Sequence, residues 1–220
     1  MEARLVKKIK ISTTLELISG LHIGGNSDNV EIGGIDNIVI KAATKGEQPY
    51  IPGSSLKGKM RCLLEQIAGV SEVGGGTKAF AGKSEECKRI INLFGFANDK
   101  KPSKLIVRDS YLTTDSLLLL SECTSLDMTY TENKCENSID RTSGVASNPR
   151  KTERVPAGVS FDVEFIINVW DDDDENELIG LLREGIKALE NDYLGGSGSR
   201  GYGQVKFGEL HKKDIVFDIK

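Results

Sequence analysis

Between residues 6 and 18 the chain alternates: Ile9, Ile11, Thr13, Leu15 and Leu17 share one side, with polar residues between them. That period of two predicts a strand buried on one face. The cleanest repeat of the pattern is "VSFDVEFIINVW", where Val159, Phe161, Val163, Phe165, Ile167 and Val169 alternate. In "SSLKGKMRCLLEQIAG" the spacing becomes helical. Leu56, Met60, Leu63, Leu64 and Ile67 recur on one stripe as far as Gly69, and Ser54 or Ser55 supplies the cap. "EECKRIINLFGF" predicts a shorter helix with Ile90, Ile91 and Phe94 inward. "NELIGLLREGIKALEND" predicts a longer one, with Leu178, Leu181, Leu182, Ile186 and Leu189 on its stripe. "KLIVRDSYL" and "SLLLLSE" read as strands, "NIVIKA" is a short apolar run, and "YLGGSGSRGYGQVKF" is a glycine loop entering a last strand.

Three segments lack either period. Residues 20–37 form a glycine-rich loop, 69–84 read as a mobile loop, and 127–157 as a protruding thumb or hairpin arm. What remains runs strand, helix, strand, strand, helix, strand. That order predicts an α+β, ferredoxin-like fold with two helices on one face of an antiparallel sheet. A single domain over residues 1–220, carrying the arm and helical insertions, accommodates it.

A net charge of −4 with 28% charged residues excludes a uniformly basic nucleic-acid binder, so any basic surface is local. No apolar run approaches the length of a membrane span, and "MEARLVKKIK" lacks the apolar core of a signal peptide, which predicts a cytoplasmic location. Cys62, Cys87, Cys123 and Cys135 form no C-x-x-C pair. Free thiols are the expectation, with a structural zinc disfavoured by that spacing.

Cations gather in three places. On the first helix Lys57 and Arg61 flank the apolar stripe on one side and Lys59 on the other. Gly58 sits mid-way on the outward face, where glycine costs about 1 kcal/mol of helix stability but lets a ligand come close. The helix start, with Ser54 and Ser55, offers N–H groups to an anion. A solvated amphipathic helix with extended lysines stays open as the alternative. The second place is "GGSGSRGYG", residues 195–203, where glycines let backbone wrap a phosphate and Arg200 pairs with it. The third is the arm, with Arg141, Arg150, Lys151 and Arg154; a basic arm on an acidic protein grips a nucleic-acid backbone, or is a solvated charge run. "DDDDENE", residues 171–177, reads as a solvated acidic start to a helix rather than a metal site, because successive side chains diverge.

"GLHIGG", "IPGSSLKGKMR", "IDR" followed by "ERVP", and "GGSGSRGYGQV" run in that order from residue 20 to residue 205. Together they resemble the RAMP superfamily of CRISPR proteins, and within it the backbone subunits of type III-A (Csm) effector complexes. The resemblance implies a palm of RNA-recognition-motif type with an inserted thumb. It also implies binding to CRISPR RNA, stacking with copies of itself into a helical filament, and assembly with other Csm subunits, with no membrane partner. Such subunits cut the complementary target RNA at regular intervals, dependent on a divalent ion such as Mg or Mn. The family's catalytic aspartate lies after the histidine motif, and the matching position is Asp36 in "GGIDNIV", which would also bind the ion. Asp28, in the same loop, is the alternative carboxylate. RNA contacts would fall to His22, Ser54, Ser55, Lys57, Lys59, Arg61, Arg141, Arg154 and Arg200. His22 shapes the loop or touches RNA, and because imidazole in general changes charge near neutral pH a base role stays open.

The chemistry is compatible with that outfit. Attack by the RNA's own 2′-hydroxyl needs activation and an in-line geometry, and a carboxylate or the ion it holds supplies the first. A purely architectural RAMP subunit, binding guide without cutting, is the rival reading; its relatives lack an acid at the Asp36 position. A precursor-processing endonuclease would need a histidine site, and His22 and His211 are too few and too far apart for one.

Overall fold

Strand β1 (Leu5–Leu17) and strand β8 (Ser160–Trp170) form the middle of the molecule, paired antiparallel with Leu15 opposite Phe161, Ile11 opposite Phe165 and Ile9 opposite Ile167. These are the residues of the two alternating stretches, and all are buried on one face. The register is fixed by that face, since a slip of one residue would turn every apolar side chain to water. The computed structural model describes residues 4–25, 37–69, 85–96 and 102–217. The expected loop over 69–84 lies outside these residues except for Gly69, as do Asp28 and Asp36.

Around the central pair lie β2 (Lys41–Ala42), β3 (Gln48–Ile51), β4 (Leu105–Val107), β5 (Ser110–Leu112), β9 (Val205–Phe207) and β10 (His211–Val216). The sheet runs β10–β1–β8–β5–β3–β2, with β4 also on β8 and β9 also on β1, and every pairing is antiparallel. Helices α1 (Gly53–Ile67), α2 (Glu85–Phe94) and α4 (Glu175–Glu190) contribute Leu56, Met60, Ile90, Leu93, Leu178, Leu181 and Leu189 to the core. Gly185 is where α4 packs on α1: a Cβ there would stand 3.4 Å from the Met60 and Leu64 side chains, in ordinary contact. The result is an α+β fold built on an antiparallel sheet.

Two local expectations are corrected. "SLLLLSE" is not a strand but lies in helix α3 (Thr114–Glu122), whose start is capped by the Thr113 hydroxyl accepting the Ser116 N–H at 3.3 Å. A run of four leucines carries neither period, so the cap decides the element. Only Leu120 of the last three is buried; Leu118 and Leu119 are 53% and 57% exposed. In α1 neither Ser54 nor Ser55 is the cap. The helix begins at Gly53 behind Pro52, and the serines occupy its first turn. Ile67, expected on the buried stripe, is 73% exposed at the last helical position.

The acidic run 171–177 is more tied down than a solvated cap. Asp174 caps α4 by accepting the Asn176 N–H at 2.9 Å. Asp173 is partly buried with its side chain covered, accepting the Trp170 N–H at 2.9 Å and pairing with Lys104. Asp171 accepts the Arg4 N–H at 3.1 Å.

Strands β6 (Glu132–Ile139) and β7 (Ala146–Arg154) make a separate two-stranded hairpin. It turns at Asp140, whose carboxylate accepts the N–H groups of Thr142 and Ser143 at 2.9 and 2.7 Å. Its far half is exposed; its near half is not. β7 buries Thr152 and Glu153 where it meets the palm.

Candidate nucleic-acid interface

The chain is paired across the two ends of its described stretches at Gly25 and Asn37. Gly25 N–H donates to the Ile38 carbonyl at 3.0 Å and Ile40 N–H to the Ile23 carbonyl at 2.9 Å, pairing the outgoing and returning chains. Asn37, the residue joined to Asp36, therefore has a fixed position. The root of the arm lies beside this base. Leu21 and Val155 exchange two backbone hydrogen bonds of 2.9 and 2.8 Å, and Glu153 N–H donates to the Asn37 carbonyl at 3.0 Å.

The glycine loop 195–203 closes from the other side. Gly196 N–H donates to the His22 carbonyl at 2.9 Å, and Gly203 N–H to the Gly20 carbonyl at 2.9 Å. Here glycine is required: Gly195 has φ +75°, and a Cβ on it would collide with the His22 carbonyl oxygen. His22 thus lies where all three segments meet. Its ring Nδ1 stands 2.7 Å from the Glu153 carbonyl oxygen. A carbonyl only accepts, so Nδ1 carries the hydrogen and Nε2 is left as the acceptor in the neutral ring. The ring is placed by the arm.

Between the arm and the glycine loop the charges are interleaved. Arg200 Nη1 pairs with Glu136 at 3.0 Å while remaining 54% exposed on its side chain. Arg154 Nε pairs with Glu132 at 2.7 Å. Lys134 and Arg154 both lie over the Tyr202 ring, at 4.4 and 5.1 Å from its centroid. Tyr202 itself is buried, and burial with the nearby Glu136 charge pushes its phenol up to about 12. Above this layer opens a polar cavity of about 460 Å³ lined by Lys134, Glu136, Asn148, Arg150 and Arg200. Arg141 and Arg150 are exposed and carry no side-chain ion pair among the described residues.

Helix α1 presents a different picture. Its first N–H, on Gly53, already donates to the Asp109 carboxylate at 2.9 Å, so an internal anion occupies the place read as free. Lys57 Nζ donates to Ser103 Oγ at 2.7 Å and the Leu105 carbonyl at 2.8 Å. Burial, with the neighbouring Arg61 charge, holds its ammonium below the ordinary lysine value. Lys59 pairs with Asp192 at 2.9 Å and stands 3.7 Å from the Tyr193 ring centroid. Arg61 pairs with Glu65 at 2.6 Å. Of the expected contacts on this helix, Ser54 and the open space over Gly58 face solvent most freely.

Sequence reasoning passed over three residues that organise the interface. Glu153, 1% exposed, receives the Val39 N–H at 2.8 Å, the Thr131 hydroxyl at 2.6 Å and the Lys41 ammonium at 2.6 Å. Glu132 and Glu136 hold the two arginines. Their spacing of four, with Lys134 between them on the same side of β6, is the available signal, hidden because the hairpin carries no apolar period. Among the described residues no group of three or more His, Cys, Asp or Glu side chains is placed to hold a metal. No described helix is long and apolar enough to cross a membrane.

A model of the RAMP superfamily matches residues 14–206. The chain belongs to the RAMP superfamily. Within it, the chain is 42% identical over 208 residues to the CRISPR system Cms endoribonuclease Csm3 of Methanocaldococcus jannaschii, covering 92% of this chain and 79% of that protein. It is 41% identical over 220 residues to the protein of that name from Streptococcus thermophilus, covering 97% and 94%. Among solved structures, the Csm3–Csm4 subcomplex of a type III-A CRISPR–Cas interference complex superposes with TM-score 0.57 at 29% identity, covering 96% of this chain and 89% of that one. A type III-B Cmr-beta complex bound to cognate target RNA shares the fold, with TM-score 0.64 at 14% identity over 94% and 61% of the two chains.

Proposed function

We propose that this RAMP protein is the repeating CRISPR RNA-binding subunit of a type III-A complex and an endoribonuclease that cuts the paired target RNA at regular intervals. One observation carries the reading. Asn37, which follows Asp36 in the chain, the histidine motif, the glycine loop and the arm root meet at a single junction. Relatives named endoribonucleases match at about two-fifths identity across that whole span. The partners that follow are the guide, the complementary target, further copies of this chain in a helical filament, and other Csm subunits, in the cytoplasm.

The palm is read as ferredoxin-like. Strands β9–β1–β8–β4/β5 with α1 and α4 packed together follow that order, and β2, β3, β10 and α3 are additions to it. In this arrangement Arg141, Arg150, Arg154 and Arg200 face the guide's phosphates from the arm and the glycine loop. The protein holds the RNA, and Asp36 acts on the phosphodiester beside it. A Mg or Mn ion bound by Asp36 belongs to the proposal, and when bound it would neutralise charge on the phosphate. Both oxygens of Glu153, a buried carboxylate beside Asn37, are already taken up within the protein. The chain's own residues therefore contribute position and one carboxylate, which suits a slow reaction governed by in-line geometry.

The test is to purify the assembled complex, sequence the small RNA it retains, and offer a complementary target with and without EDTA. Regular cuts across the paired region, lost with EDTA, are expected. A complex that retains guide and binds target without cutting would overturn the enzymatic reading and leave an architectural subunit.

A further inference from the structure

Arg154 and Arg200 each hold a carboxylate of β6, and the two pairs are built differently. Arg154 is embedded. It lies over the Tyr202 ring, and it runs so close above Gly20 that a Cβ there would collide with its side chain. Its Nε is 2.7 Å from Glu132, and 22% of its side chain is exposed. Arg200 stands at the surface with 54% of its side chain open, and its bond to Glu136, at 3.0 Å, is made from one nitrogen, Nη1. A guanidinium fork bound at one nitrogen keeps donors for a second oxyanion, and a pair so open to water is weak.

The polar cavity above this pair is lined by three cations, Lys134, Arg150 and Arg200, and by one carboxylate, Glu136. On a surface that receives phosphates a carboxylate is out of place, since it repels them. It is in place as a substitute for one. The two oxygens of Glu136 are divided between cations: Oε2 takes Arg200, and Oε1 takes Lys134 Nζ at 3.2 Å. When Arg200 turns to a phosphate, Lys134 still neutralises Glu136, so the exchange leaves no bare charge behind.

We infer that the Arg200–Glu136 pair is an exchangeable latch between the arm and the glycine loop. In the free protein Glu136 holds the place of an RNA phosphate on Arg200, and the guide takes the arginine over. Glu136 therefore lowers guide affinity by competition, whereas Glu132 with Arg154 is a fixed joint that the guide does not open. This rests on the reading in which the arm and the glycine loop face the guide.

The experiment titrates the full chain with a single-stranded RNA of the guide's sequence at several salt concentrations. It compares wild type, Glu136→Gln, Glu132→Gln, Arg200→Ala and the double variant Glu136→Gln with Arg200→Ala. Glu136→Gln is expected to bind about two- to fivefold more tightly, the size of an exposed ion pair. Its salt slope should steepen by up to about 1, for one more net positive charge at the RNA. Most of that gain should vanish when Arg200 is alanine, and Glu132→Gln should bring none. Glu136→Asp, which draws the carboxylate back by one methylene, is read in the same way where Glu136→Gln does not fold. An equal gain with and without Arg200, or an equal gain from Glu132→Gln, is plain charge repulsion and overturns the latch. Unchanged or weaker binding by Glu136→Gln also overturns it, and makes Glu136 a group that orients Arg200 at most. In each of these cases Arg200 stays on the RNA as long as Arg200→Ala binds less well than wild type. Wild-type affinity and slope in Arg200→Ala instead take the glycine loop off the RNA, and the latch falls with that reading.

Discussion

Helix α1 and the arm look alike as strings of charge, and the structure separates them. Lys57, Lys59 and Arg61 all have internal partners, and Lys57 is half-buried between Ser103 and the Leu105 carbonyl. Arg154 in the arm and Arg200 in the glycine loop are paired with carboxylates, but Arg141 and Arg150 of the arm stand exposed at the hairpin and over the polar cavity. The cations of α1 are engaged within the protein, Lys57 with the start of β4, Lys59 with Asp192 after α4 and Arg61 with Glu65 of its own helix, whereas Arg141 and Arg150 of the arm face outward. A charge in the sequence becomes a binding charge only when nothing inside the protein needs it, because an ion pair already made must be given up to bind a phosphate.

The largest effect expected lies outside both regions and calibrates them. Asp36→Ala should abolish regular cutting in the assembled complex while guide retention and target affinity stay close to wild type, and Asp28→Ala should still cut. Removing a carboxylate near phosphates relieves repulsion, so target binding by Asp36→Ala should not weaken. Gel analysis of cut positions beside a binding titration checks this; equal cutting by both variants would remove Asp36 from the chemistry.

The comparison itself breaks or holds on salt. Arg141→Ala with Arg150→Ala should weaken guide binding for every sequence and lower the slope of log affinity against log salt by about 1 per arginine. Lys59→Ala with Arg61→Ala should lower it by less, since their charges are already paired within the protein. Equal slopes for the two double variants would mean that α1 gives up its internal partners to RNA and is as much a binding surface as the arm.

Much of this was legible beforehand. Strict alternation named the buried faces of β1 and β8, and the helical stripes of α1, α2 and α4 named their core residues, because burial on one face leaves a period in the sequence. α3 was misread because four adjacent leucines leave no period. The α1 cap was misplaced because two serines next to Gly53 resemble a cap, whereas a Cβ at Gly53 would collide with the Val107 carbonyl and the helix has to begin there. The glycine loop and histidine motif were visible as composition. Their joint with Glu153 was not, since it unites residues 22, 37–41, 131 and 153 and depends on topology rather than on spacing.

If Lys57 is a joint rather than a phosphate contact, its loss should be felt in folding before binding. Lys57→Met keeps most of the apolar stem and deprives half-buried Ser103 Oγ of its ammonium donor, while the Leu105 carbonyl keeps only the Ser103 hydroxyl. About 2 kcal/mol of stability should go, some 4–8 °C in Tm for a domain of this size, with the salt slope of guide binding unchanged. A variant of wild-type Tm and reduced slope would instead restore Lys57 to the RNA surface.

The smallest effect is the most discriminating for α1. Gly58 lies on the outward side of the helix with open space where a Cβ would stand, so nothing in the protein requires glycine there. Gly58→Ala should therefore raise stability, by up to about 1 kcal/mol from helix propensity alone. Should the guide backbone lie directly against the helix at that point, the same methyl would hold it away, and guide affinity would fall as Tm rises. Because the α1 cations are paired internally, close approach over Gly58 is the remaining way for this helix to contribute to binding. Opposite movements of Tm and affinity in one variant would place RNA against α1 by shape rather than by charge. A rise in Tm with unchanged affinity would confine guide recognition to the arm and the glycine loop.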